Sequence, residues 1–175
     1  MSTRWAVYES PFGPLTLVAG ARGLRELRFP GRGGPLDEAD RDPDALAAAV
    51  TQLEEWFAGE RRRFELPLEL GGTALQRRVW TLLRELPYGS TISYGALAER
   101  AGLAPEHVRA AAGAVARTPV PIVIPCHRVI AADGSLTGYL GGLRRKQALL
   151  DLERLAAQGL DPTPASWAFR QLALL

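Results

Sequence analysis

The spacing of apolar residues changes character at the glycine pair Gly71–Gly72, and a chain whose periodicity switches in this way must build two differently organised parts. Before the pair, the short β-prone runs Trp5–Tyr8, Leu15–Val18 and Leu24–Phe29 are separated by Pro and Gly turn signals, which predicts a small antiparallel sheet. The stretch "PGRGGPLDEADRDPD" reads as a loop. In "ALAAAVTQLEEWFAGE", Leu46, Val50, Leu53 and Phe57 fall at helical spacing. The fold class expected is α/β in the α+β sense: an N-terminal antiparallel-sheet domain with a helix over 1–72, then a mostly helical domain.

After Gly72, Thr73 is placed to cap "ALQRRVWTLLREL", whose Leu75, Val79, Leu82, Leu83 and Leu86 share one face that must pack on a core. Pro87 and Gly89 end that helix. "SYGALAERAG" and "PEHVRAAAGAVAR" then predict two short helices joined by "GLA", with Pro105 suited to the first turn of the second. Such a pair is either a helix-turn-helix, whose second helix reads nucleic acid, or an ordinary helical hairpin. The second helix is unusually slim, offering Ala110, Ala111, Ala112, Gly113 and Ala114. A slim helix suits close helix packing, or entry into a narrow minor groove with Arg109 as its long cationic probe.

With 47% apolar and 23% charged residues, 175 residues suffice to bury one or two small cores. No run approaches the roughly 18–20 apolar residues needed to cross a bilayer. The first twenty residues lack the continuous apolar core of a signal peptide, so a cytoplasmic protein with no membrane association is expected. One cysteine precludes an internal disulfide, and with only two histidines neither a metal site nor another cofactor is expected. Charge is uneven: residues 1–72 carry nine Arg against twelve Asp and Glu, net −3, whereas residues 73–128 carry seven Arg against three Glu, net +4. The positive segment fits either a phosphate-contacting surface or a solvated basic face.

That segment holds Cys126, at the end of the apolar run "PVPIVIPCHRVI" and directly before His127. A lone cysteine in apolar surroundings is ordinarily inert, whereas a nearby imidazole and the cationic Arg128 would favour the reactive thiolate. On a regular strand, adjacent side chains point to opposite faces, so Cys126 and His127 cooperate only if the chain turns there or a water bridges them.

With its flanks, the segment resembles the O6-alkylguanine-DNA alkyltransferases, the single-use DNA-repair methyltransferases. The resemblance rests on Val79–Trp80, "PYG" at Pro87–Gly89, "SYGALA" at Ser93–Ala98, Arg109, "PIVIPCHRVI" at Pro121–Ile130, "TGYLGG" at Thr137–Gly142, Lys146, and "LLDLE" at Leu149–Glu153. It implies an alkyltransferase domain over 73–153 and an extension over 154–175, whose Trp167, Phe169, Leu172, Leu174 and Leu175 would dock on the body, seal an interface or end freely. It implies that Cys126 takes the alkyl group from O6 of guanine, with His127 as base through a water and Glu153 supporting the imidazole. Tyr94 would donate to N3, Tyr139 would wall the pocket, backbone groups of Cys126 and Val129 would accept from the exocyclic amine, and the Leu140 N–H would reach O6. Arg109 would replace the extruded nucleotide, with Ala110, Ala111, Gly113 and Arg128 beside the DNA.

The partner implied is double-stranded DNA carrying O6-alkylguanine, with O4-alkylthymine open, and the protein would act as a monomer. Two positions depart from the family pattern. Thr118, at the pocket, stands where Asn is usual, and Leu140 stands where a small residue is common. Two other readings differ in their demands. A non-catalytic lesion sensor of the same fold would lack the cysteine, and a cysteine hydrolase using His127 or His107 would need an oxyanion hole that no glycine-rich stretch near Cys126 signals.

Overall fold

The computed structural model describes residues 3–163, and these form an α+β fold. Contacts divide them into two compact units, one holding residues 3–70 with the described residues from Asp151 on, the other Gly71–Leu150.

In the first unit, strands β1 (Arg4–Ser10), β2 (Gly13–Ala19) and β3 (Leu24–Arg28) form an antiparallel meander in the order β1-β2-β3. The β1–β2 hairpin is tight because Gly13 takes φ 86°, a left-handed conformation glycine adopts without strain. Its register runs from Arg4 opposite Ala19 to Ser10 opposite Gly13, which turns Leu15 and Leu17 fully into the core. Helix α1 (Ala47–Phe57) buries Leu53, Trp56 and Phe57, and Phe57 meets Phe12 edge to face at 5.4 Å. Leu46 is buried too, but it closes a 3-10 turn before α1. Val50 is only half-buried, and Ala49 takes the inward position expected of it. The tail residues Trp167 to Leu175 lie outside the described residues.

In the second unit, α2 (Ala74–Glu85) starts on a complete capping box. Gln76 N–H donates to Thr73 Oγ1 at 3.2 Å, and Thr73 N–H donates to Gln76 Oε1 at 2.9 Å. Val79, Trp80 and Leu83 are buried, while Leu75 and Leu82 stay half-exposed. The Trp80 indole also donates to Ala114 O at 2.9 Å, which ties α2 to a helix further along. That partner is α4 (Val108–Ala116), preceded by α3 (Tyr94–Arg100). The two are joined by a Schellman turn, in which Leu103 N–H donates to Ala98 O and Gly102 N–H to Glu99 O, with Gly102 at φ 75°. Pro105 opens a separate 3-10 turn (Pro105–His107), so α4 begins three residues later than the apolar pattern suggests.

After α4 the chain runs through an almost wholly buried segment, Thr118–Val129, to β5 (Val129–Ile130). This pairs in parallel with β4 (Ile92–Ser93), a two-residue ladder the sequence reading did not anticipate. Helix α5 (Leu143–Ala157) follows. None of the described helices is long and apolar enough to cross a membrane.

Because Thr73 Oγ1 accepts the Gln76 N–H, Thr73→Ala is expected to lower stability by about 1 kcal/mol. Thr73→Ser should keep most of it. Denaturant unfolding of the two variants checks this, and equal losses would mean that the threonine methyl, not the cap, matters.

Candidate active site

Two consecutive bends decide how Cys126 is presented. Ile122 takes φ 74° directly after Pro121, a left-handed conformation that a β-branched residue rarely adopts. Pro125 then sits at φ −77°, ψ 62°, and Cys126 N–H donates to Ile124 O at 2.7 Å, which closes an inverse γ-turn. The chain leaves that turn as a 3-10 turn spanning Cys126–Arg128, so Cys126 and His127 are not on a strand and are not forced to opposite faces. Both are buried, His127 fully.

Burial dominates the chemistry of the thiol and pushes it up to about 12. Opposing the burial are a hydrogen bond from the Thr118 side chain, the backbone N–H groups of Cys126 and His127, and the charge of Lys146. Arg128 is itself buried, donates to Leu86 O at 2.8 Å, and lies 5.6 Å from the Tyr88 ring centroid, while Lys146 supplies positive charge to the thiol. The same burial removes Arg128 from a DNA-facing surface.

Lys146 is the residue that composition and periodicity could not reveal. Its side chain is fully buried on α5, and its ammonium donates to Thr137 O at 2.9 Å and lies 5.9 Å from the Tyr94 ring centroid. Burial lowers its pKa, and the nearby Cys126 opposes this. Tyr94, the first residue of α3 after the Ser93 cap, makes a long contact from its hydroxyl to the same Thr137 O, at 3.4 Å. Lys146 thus links Tyr94 and Thr137 O to Cys126, and Tyr139 and Leu140, on the loop that carries Thr137, are both half-buried. Val129 is fully buried, and its N–H donates to Cys126 O. Glu153 is fully buried on α5.

Of the expected DNA-facing residues, Arg109 and Ala110 are exposed on α4 and Gly113 is half-exposed. Ala111 is not: it is fully buried, because it lies on the stripe of α4 that also buries Ala114 and Val115. Its methyl group packs the helix rather than approaching DNA. Among the described residues no group of three His, Cys, Asp or Glu is arranged to hold a metal ion.

The family model described as the 6-O-methylguanine DNA methyltransferase DNA binding domain matches residues 74–155, and the ribonuclease-like domain of the same proteins matches residues 3–70. A methylated-DNA–protein-cysteine methyltransferase of Mycobacterium tuberculosis is 46% identical over 155 residues, 85% of this chain and 91% of that protein. One from Methanosarcina acetivorans is 41% identical over 152 residues, covering 85% of this chain and 97% of its own length. Among solved structures, Mycobacterium tuberculosis OGT in complex with DNA superposes with a TM-score of 0.78 at 44% identity, over 88% of this chain and 93% of that one.

The raised thiol has a consequence for stability. A buried thiol that holds its proton up to about 12, against about 9 when unfolded, stabilises the fold fully below pH ~9, and this is lost as pH rises toward 12, by at most about 4 kcal/mol. Tyr8, also pushed up to about 12 by burial, contributes in the same window. The readable quantity is therefore the difference between wild type and Cys126→Ala. Unfolding free energies from pH 8 to 11 should fall more steeply for wild type; parallel curves would mean that the thiol is not desolvated.

Proposed function

Because the chain belongs to the 6-O-methylguanine DNA methyltransferase family, we propose that Cys126 is its alkyl acceptor and that its substrate is O6-alkylguanine turned out of duplex DNA. The protein is a DNA-repair alkyltransferase that binds DNA and transfers the alkyl group to a cysteine of its own. The observation that carries the assignment is that the only cysteine of the chain lies buried on a turn that also presents His127, within the part matched by the DNA binding domain.

In the transfer, a bond forms from Sγ of Cys126 to the alkyl carbon as the bond from that carbon to O6 breaks, and the electron pair passes into the guanine. The thiol gives up one proton and the released guanine gains one, so the exchange needs no redox partner. Since burial keeps the thiol protonated at neutral pH, a base must take that proton during the reaction. His127 is the candidate, acting through a water, with Glu153 orienting the imidazole. Tyr94 donates toward N3, where negative charge develops, while Tyr139, the backbone of Cys126 and Val129, and the Leu140 N–H hold the base.

Arg109, exposed on the slim outer face of α4, fills the space of the extruded nucleotide, and Ala110 and Gly113 let that face approach a narrow groove. A thioether is a poor leaving group and the chain has no second thiol, so one molecule performs one repair. Nothing in these steps asks for a second subunit, and a cytoplasmic monomer suffices. We read residues 73–153 as the alkyltransferase domain, 1–72 as the N-terminal α/β domain and 154–175 as an extension.

Mixing the protein with an O6-methylguanine duplex should add the mass of one methyl group, mapping to Cys126. Cys126→Ser should bind the duplex but gain no mass, and any methyl transfer by it would sink the assignment. Arg109→Ala should slow repair of duplex DNA roughly tenfold to a hundredfold, matching a few kcal/mol of unstacking. It should barely slow reaction with free O6-benzylguanine, which needs no extrusion; equal losses on both substrates would take Arg109 out of that role.

A further inference from the structure

The first turn of α5 holds a cation where the helix dipole opposes one. Arg145 lies in that turn, and no acidic residue accompanies it there. Its side chain is half-buried, and Nη1 donates to Gly141 O at 3.0 Å. Gly141 is buried, so a partner for its carbonyl has to come from the protein. The bond reaches back to the tight turn over 139–142, which Gly142 N–H closes by donating to Tyr139 O at 3.0 Å. Leu140 and Gly141 are the two central residues of that turn.

Among the described residues every peptide bond is trans, and in a planar trans peptide the C=O and N–H point in opposite directions. The peptide joining Gly141 to Gly142 therefore receives Arg145 on its oxygen while its N–H donates to Tyr139 O. The peptide joining Tyr139 to Leu140 receives that second bond on its oxygen and aims its N–H the other way, out of the turn. Two peptide groups thus stand in series between the guanidinium and the Leu140 N–H. Hydrogen bonds in series polarise one another, and a cation at the head of the series makes each N–H after it a stronger donor. We propose that Arg145 acts through these two peptides on the Leu140 N–H, strengthening it as a donor to O6 of the leaving guanine. This rests on the reading of Cys126 as the alkyl acceptor and of the Leu140 N–H as the donor to O6. When the bond from the alkyl carbon to O6 breaks, its electron pair stays with the guanine and O6 becomes a better acceptor. A strengthened donor at O6 then favours the transition state over the ground state. No proton passes along the series, and Arg145 never touches the base, so it is a positioning residue.

The test compares Arg145→Met, which keeps an unbranched side chain without donor or charge, with Arg145→Gln, which keeps an N–H donor without the charge. Single-turnover rates are measured on two free bases, O6-benzylguanine and its 8-bromo derivative. Bromine withdraws electrons, so the brominated guanine leaves more readily and relies less on the donor at O6. Arg145→Met should slow the reaction of O6-benzylguanine roughly threefold to tenfold, the scale of one net hydrogen bond, and slow the brominated base clearly less. Arg145→Gln should fall between wild type and Arg145→Met on O6-benzylguanine. Any difference in how the bromine fits cancels, because each substrate is compared with itself between wild type and variant.

A guanidinium that only ties down the turn predicts a different pattern, in which both substrates lose rate in the same proportion. Equal losses on the two bases, or no loss on either, therefore overturn the proposal. An Arg145→Gln variant that matches wild type also overturns it, because the charge at the head of the series would then be immaterial. If Arg145→Met does not fold, the two rates of Arg145→Gln decide by the same criterion. Failure of the acceptor assignment looks different, because wild type itself would then transfer no benzyl group to Cys126.

Discussion

The hydrogen bond from Cys126 N–H to Ile124 O is short in sequence and decisive for the site. It closes the γ-turn around Pro125, and without that bend the apolar run from Val120 would continue as an extended strand with Cys126 and His127 on opposite sides. Proline suits the bend because its ring fixes φ near the value required. The left-handed Ile122 one turn earlier is costlier, on the order of 1–3 kcal/mol for a non-glycine residue. Its side chain is 1% exposed, so burial of a large aliphatic group offsets the backbone cost and keeps the segment in one conformation. A nucleophile mounted on two over-determined bends has little freedom to move away from its substrate.

The buried lysine follows from the same enclosure. An ammonium taken out of water is unstable unless other groups replace the lost hydration. For Lys146 the replacements include the carbonyl of Thr137 and the face of the Tyr94 ring. Those groups belong to the loop before α5 and to α3, so the requirement to solvate one charge draws the two together. The positive charge that results is felt at Cys126, where it partly opposes the burial of the sulfur.

Much of this architecture was legible in the sequence, and the reasons differ by element. The meander and the helices α2, α3 and α4 were readable because apolar spacing, Pro and Gly turn signals, and the caps Thr73 and Ser93 agree with one another. The bend at Cys126 was not, since alternation along "PIVIPC" fits a buried strand as well as a pair of turns. The fates of Arg128 and Ala111 were hidden for another reason. Whether an arginine faces phosphate or a carbonyl such as Leu86 O, and which side of a short alanine-rich helix faces inward, depend on residues far away in sequence. Lys146 could be seen only as part of a family motif, because a lysine on an amphipathic helix ordinarily reads as a solvated position.

A thiol that burial pushes up to about 12 is a weak nucleophile until a base takes its proton, and the reason to bury it lies in what the protein must avoid. At neutral pH such a group is overwhelmingly protonated. A freely ionised cysteine would be open to any passing electrophile or oxidant, and here each molecule has one thiol to spend. Burial removes that exposure, and it also makes the thiolate, once formed, more basic and therefore intrinsically more nucleophilic. The backbone N–H groups of Cys126 and His127, the Lys146 charge and the Thr118 hydroxyl already oppose the burial without overcoming it, so the proton has to be taken by a base. A proton held this firmly leaves together with the attack on the alkyl carbon rather than ahead of it, so a protein with one thiol keeps it in the unreactive form until then.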